Sequence, residues 1–129
     1  GPLCVAWLRE CGGVLEHPNG STLWDTFNSQ MRLPRPGEYI MRNGRKEFTL
    51  ALRQFWFGHK CNKASWFFCC GLEPAQIRVP FVMGYPSRVI DSSSRGNNSV
   101  KYATERMREA TTIELARWLV ALAREATPA

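Results

Sequence analysis

No stretch of this chain is apolar over anything near the ~20 residues that a helix needs to cross a bilayer, so no membrane partner is expected. The opening residues show no secretory pattern of basic, apolar and small-residue regions. The five cysteines are odd in number and irregularly spaced, which argues against a disulfide framework and points to a reducing cytosol. Histidine is scarce, with only His17 and His59. His59-x-Cys61 and the vicinal Cys69-Cys70 do not make the paired spacing of structural zinc, so no metal is expected. No internal repeat is visible. Acidic residues are the minority charge, 11 against 17 lysines and arginines, giving a formal charge of +6. Such an excess favours a polyanionic partner, nucleic acid foremost, through phosphate contacts and counterion release.

What is present fits a globular α/β chain. At 129 residues it reads as a single domain over 1–129, large enough to bury a core. "GPL" reads as the remnant of a cleaved tag, residues 1–2 at least, and the chain either stands alone or is a fragment of a longer one. "CVAWLRECGG" carries Val5, Leu8 and Cys11 at intervals of three and then a glycine pair suited to a left-handed exit, which predicts a helix followed by the short strand "VLEHP". Ser21 is the expected cap of a short helix bearing Leu23, Trp24 and Phe27.

"YIMRNGRKEFTLALRQFWF" predicts a β-hairpin at Asn43-Gly44, where both positions tolerate positive φ. Its second arm is apolar on both faces, with Phe48, Leu50, Leu52, Gln54 and Trp56 on one, so a strand covered on both sides is expected to run through Trp56. "ASWFFCC" predicts a further strand ending at Gly71. Residues 91–98, "DSSSRGNN", are the most polar window and the expected mobile loop. Thr111 and Glu114 have capping-box spacing before "TIELARWLVALAREA", an amphipathic helix with an expected buried stripe of Ile113, Ala116, Leu119, Val120 and Ala123. The sum is an α/β domain with a short mixed sheet of four or five strands, a hairpin and a C-terminal amphipathic helix.

Three groups of residues could carry chemistry. Glu16, at the carboxyl end of a strand expected to be parallel, sits where open α/β sheets gather ligands. There it can accept from the exocyclic amine of a nitrogenous ring, or else it caps the next turn or pairs with an arginine. Arg42, Arg45 and Lys46 surround the hairpin turn, while Arg53, His59, Lys60 and Lys63 flank the next one. Two such turns at one end of a sheet would make a phosphate-binding edge, and the bland alternative is that they solvate hairpin tips. Trp56 and Trp66 either stack on unpaired bases or fill the core, the more usual fate of strand aromatics.

"GGVLEHPNGSTLW", followed after a proline-rich loop by "LRQFWFGHKCNKASWFFCCG", resembles the later half of phage and prophage proteins similar to DNA cytosine-C5 methyltransferases. The resemblance implies an incomplete Rossmann-like half, DNA as the favoured nucleic acid, Glu16 as a contact to the target base, and the cytoplasm of a bacterial host. It implies neither nucleophile nor cofactor here. None of the five cysteines follows a proline, and no glycine-rich turn after a strand precedes residue 12. The chain is therefore expected to be inactive alone, with S-adenosylmethionine-dependent methylation possible only with further upstream residues. The competing expectation is a phage-encoded protein-binding module that inhibits a host defence enzyme, since a fold does not fix a function.

Overall fold

The computed structural model describes residues 1–80, 88–89, 101–102 and 110–129. Helix α1 (Pro2–Cys11) starts with Pro2 at its first turn, where a missing N–H costs nothing. Gly12, at φ 77°, ends the helix and returns its N–H to the Leu8 carbonyl at 2.8 Å. Strand β1 (Gly13–Pro18) follows directly. Ser21 caps a 3-10 turn over Thr22–Asp25, its Oγ accepting from the Leu23 N–H at 3.2 Å.

The hairpin forms where expected. β2 (Tyr39–Arg42) and β3 (Arg45–Arg53) flank Asn43 and Gly44, at φ 53° and 75°. β3 stops at Arg53, however. Gln54–Phe57 make a 3-10 turn closed by Gly58 in the left-handed region, so Trp56 and Phe57 leave the sheet. β4 (Ala64–Cys70) then runs back beside β3. Short strands β5 (Arg88–Val89) and β6 (Lys101–Tyr102) pair in parallel apart from the main sheet, and α2 (Ile113–Glu125) closes the fold. The expected mobile loop at 91–98 lies outside the described residues.

The sheet has the order β1-β4-β3-β2 and is antiparallel at every pairing. This corrects the mixed sheet and the parallel strand expected for Glu16, and a Rossmann-like half is not what these four strands form. Only the short 54–63 segment joins β3 to β4, too little chain for the crossover that a parallel pair needs. Helix-then-strand order suggests a parallel strand, but that order does not itself fix strand direction.

Register divides the core in two. Leu15, Phe68 and Thr49 lie side by side on one face, beneath α1 and the 20s loop, where Val5, Leu23, Trp24 and Leu33 pack. Val14, Cys69 and Phe48 share the other face, beneath α2. β4 is buried on both sides, and its apolar run reflects that.

Helix α2 does not bury the expected stripe. Leu115 and Leu122 are buried, Trp118 and Leu119 pack beside them, and Ile113 and Val120 are exposed. The helix has two apolar faces, and the one carrying Trp118 wins because its indole meets both Phe57 and Phe67, at 4.9 and 5.5 Å between ring centres. Its cap is Thr112 rather than Thr111, with Oγ1 accepting from Leu115 N–H at 3.2 Å and its hydroxyl donating to the Phe57 carbonyl at 2.6 Å. No described helix is long and apolar enough to cross a membrane.

Candidate nucleic-acid interface

Successive hairpins in an antiparallel sheet turn at opposite ends. The Asn43-Gly44 turn and the 54–63 turn are therefore separated by the length of β3, nine residues or roughly 30 Å. This corrects the expectation of one continuous cationic edge.

At the hairpin end the cations are held internally. Glu47 is 1% exposed and accepts from Arg9 Nε at 2.9 Å, Arg9 Nη2 at 3.0 Å and Arg42 Nε at 3.0 Å. Both guanidiniums also reach carbonyls of the loop before Leu33, Arg9 that of Met31 and Arg42 that of Gln30, each at 2.9 Å. One buried carboxylate thus gathers two arginines and pins that loop across the sheet. Arg45 donates to the carbonyls of Arg9, at 2.6 Å, and Thr127. Lys46 pairs with Glu73 at 2.8 Å, a contact that raises the lysine's pKa. A cleft of about 320 Å³ beside these residues is bordered by Gly44, Arg45, Lys46 and Glu73.

The other end of the sheet differs. Arg53 and Lys60 are exposed and Lys63 is half-buried, and neither Arg53 nor Lys63 has an ion-pair partner among the described residues. β1 finishes here too, Pro18 lying opposite Ser65. Glu16 is half-buried on the α2 face, and its Oε1 accepts from Gln54 Nε2 at 3.1 Å. It has no ion pair among the described residues. Gln54 is itself buried and spends its other N–H on Ser65 Oγ at 2.8 Å, leaving its Oε1 without a partner.

His59 is not on the surface. It is 3% exposed, and its Nδ1 accepts from the Cys61 N–H at 2.9 Å, so the neutral ring carries its hydrogen on Nε2, which is buried and unpartnered. Of the predicted basic residues, Arg53, Lys60 and Lys63 are thus brought together at this end in reach of solvent, and His59 is enclosed beside them.

Here the chain also forms a pocket that sequence reading missed. An open groove of about 520 Å³ is lined by Trp56, Phe57, Gly58, Trp118, Glu114 and the segment from Arg78 to Pro80. Trp118 donates its indole N–H to the Arg78 carbonyl at 2.7 Å, tying that segment to α2. The signals were Gly58 after an aromatic run and a tryptophan on α2, but only the 3-10 turn at Gln54–Phe57 brings Trp56 and Trp118 to one cavity. Trp66 stays on the opposite face, edge-on to the buried Trp24 at 5.2 Å.

Cysteine chemistry has little to work with in the core. Cys61, Cys69 and Cys70 are buried; burial, then the neighbouring Cys70 thiol, push Cys69 up to about 12. Burial likewise raises Cys70. Among the described residues no three His, Cys, Asp or Glu side chains converge on a metal-sized site. Set against known proteins, the chain matches no family model, no curated protein and no solved structure.

Proposed function

We propose that this chain is a nucleic-acid-binding domain, with single-stranded DNA its favoured ligand, that grips phosphates at the 53–63 end of its sheet. One observation carries the reading: among the described residues Arg53 and Lys63 have no ion pair and share with exposed Lys60 the end of the sheet whose Gln54–Phe57 turn lines an aromatic-walled groove, whereas Arg42, Arg45 and Lys46 are bound to the protein itself. Cations beside indoles suit unpaired nucleotides, whose phosphates need charge and whose bases need flat apolar faces. Methyl transfer is not part of the proposal. Three of the five thiols are buried, and a thiol held near 12 supplies no useful thiolate at neutral pH. Glu16 is not given the base contact either, since the Gln54 amide occupies its Oε1.

Fluorescence anisotropy with a labelled oligothymidylate tests this. Binding at about 50 mM salt that weakens steeply by about 200 mM supports the proposal, and no binding at the lower salt overturns it. A second reading, a protein-binding module, draws support from Leu3 and Trp7, exposed one turn apart on α1. A partner protein retained in nuclease-treated pull-downs, with no oligonucleotide affinity, would favour it.

A further inference from the structure

We infer that the pocket between Trp56 and Trp118 receives one base of the bound strand and selects bases bearing an exocyclic amine through the carboxylate of Glu114. This rests on the nucleic-acid reading above and adds a specificity to it.

The volume, about 520 Å³, falls in the range of small-ligand sites, and the lining is mainly apolar, with Trp56, Phe57 and Trp118 its aromatic members. Trp118 is fixed before any ligand arrives. Its N–H is spent on the Arg78 carbonyl, and Phe57 and Phe67 brace its ring. A platform already locked in one orientation loses little freedom when a base stacks on it.

Glu114 supplies the polar edge. It lies in the first turn of α2, and no described cation pairs with it. A Cβ placed on Gly58 would come within 3.3 Å of Glu114 Oε2, so a glycine there leaves the carboxylate room to lie across the turn.

An ionised carboxylate only accepts hydrogen bonds. Cytosine and adenine offer an amine, and guanine offers an amine beside a ring N–H, two donors that match the two carboxylate oxygens. Thymine has no exocyclic amine, and its one ring N–H is flanked by two carbonyl oxygens that the carboxylate repels. Arg78, on the same rim, adds a cation for the attached phosphate. The two rim charges, one of each sign, suit a nucleotide better than a simple organic cation, which Arg78 would oppose.

The test uses oligothymidylate carrying one central guest base, titrated into the protein with tryptophan fluorescence and anisotropy read together. Guests dC, dA and dG should bind about tenfold tighter than dT, with guanine first, and should quench the tryptophans. Glu114→Gln should abolish the preference for amine-bearing guests over thymine. Trp56→Ala should remove the quenching difference in a chain whose thermal melt is cooperative. Equal affinity for all four guests, with oligothymidylate still bound, overturns the base pocket alone. No binding of oligothymidylate overturns it together with the reading beneath it. A preference retained in Glu114→Gln overturns the role of the carboxylate.

Discussion

Replacing Glu47 with alanine should cost this protein a large share of its stability. Glu47 is 1% exposed and receives three charge-assisted hydrogen bonds of 2.9 to 3.0 Å, two from Arg9 and one from Arg42. The arginine side chains are themselves only 12% and 21% exposed. Removal of the carboxylate leaves two guanidiniums facing each other in a poorly solvated site, and breaking a buried pair this way costs about 3–5 kcal/mol. The carbonyls of Gln30 and Met31 still accept from them, which places the expected loss toward about 3. Against a total of about 5–15 kcal/mol for a domain, that is a substantial fraction. Urea unfolding followed by tryptophan fluorescence measures it. The midpoint should fall with the slope unchanged, and a loss under about 1 kcal/mol would refute the assignment of Glu47 as the charge that holds the loop to the sheet.

Gly71 sits at φ 75°, and a Cβ there would collide with the Thr127 carbonyl and the Arg45 guanidinium, so Gly71→Ala should destabilise by about 2 kcal/mol or more in the same assay. Stability should also fall in alkali. The Cys69 thiol is raised from an ordinary 9.0 to about 12, so the unfolded chain releases this proton first, and stability present below pH 9 drains away between 9 and 12. The slope is on the order of 1.4 kcal/mol per pH unit, and Cys69→Ala should be less pH-dependent than the parent by that amount. Equal slopes would contradict the buried neutral thiol. Thr112→Ala should cost about 1 kcal/mol in urea unfolding by uncapping α2, whereas Thr111→Ala should cost little.

Much of the fold was legible because its signals are local. Asn43-Gly44 specifies its own turn, Gly12 ends α1, and Ser21 caps the turn after it. What stayed hidden depends on partners distant in sequence. Arg9 and Glu47 are 38 positions apart, and nothing near Arg42 announces that its charge is spent on a strand neighbour five residues on. Glu47 itself was a clue. An acid on the same strand face as Thr49, inside an apolar arm, has to find cations. Strand direction followed from the short 54–63 connection, and that same antiparallel order sets the two basic turns apart. For α2, two candidate apolar faces compete, and only the rings of Phe57 and Phe67 decide between them.

The central claim is that phosphates are gripped at the 53–63 end and not at the hairpin. Oligothymidylate affinity measured across salt concentrations tests it in three chains: the parent, Arg53→Ala/Lys63→Ala, and Lys46→Ala. With about three phosphate contacts the parent should show a slope near −2 in log affinity against log salt, and the double variant about −0.7. Lys46→Ala should keep the parent slope. A slope lowered by Lys46→Ala and untouched in the double variant would contradict the account.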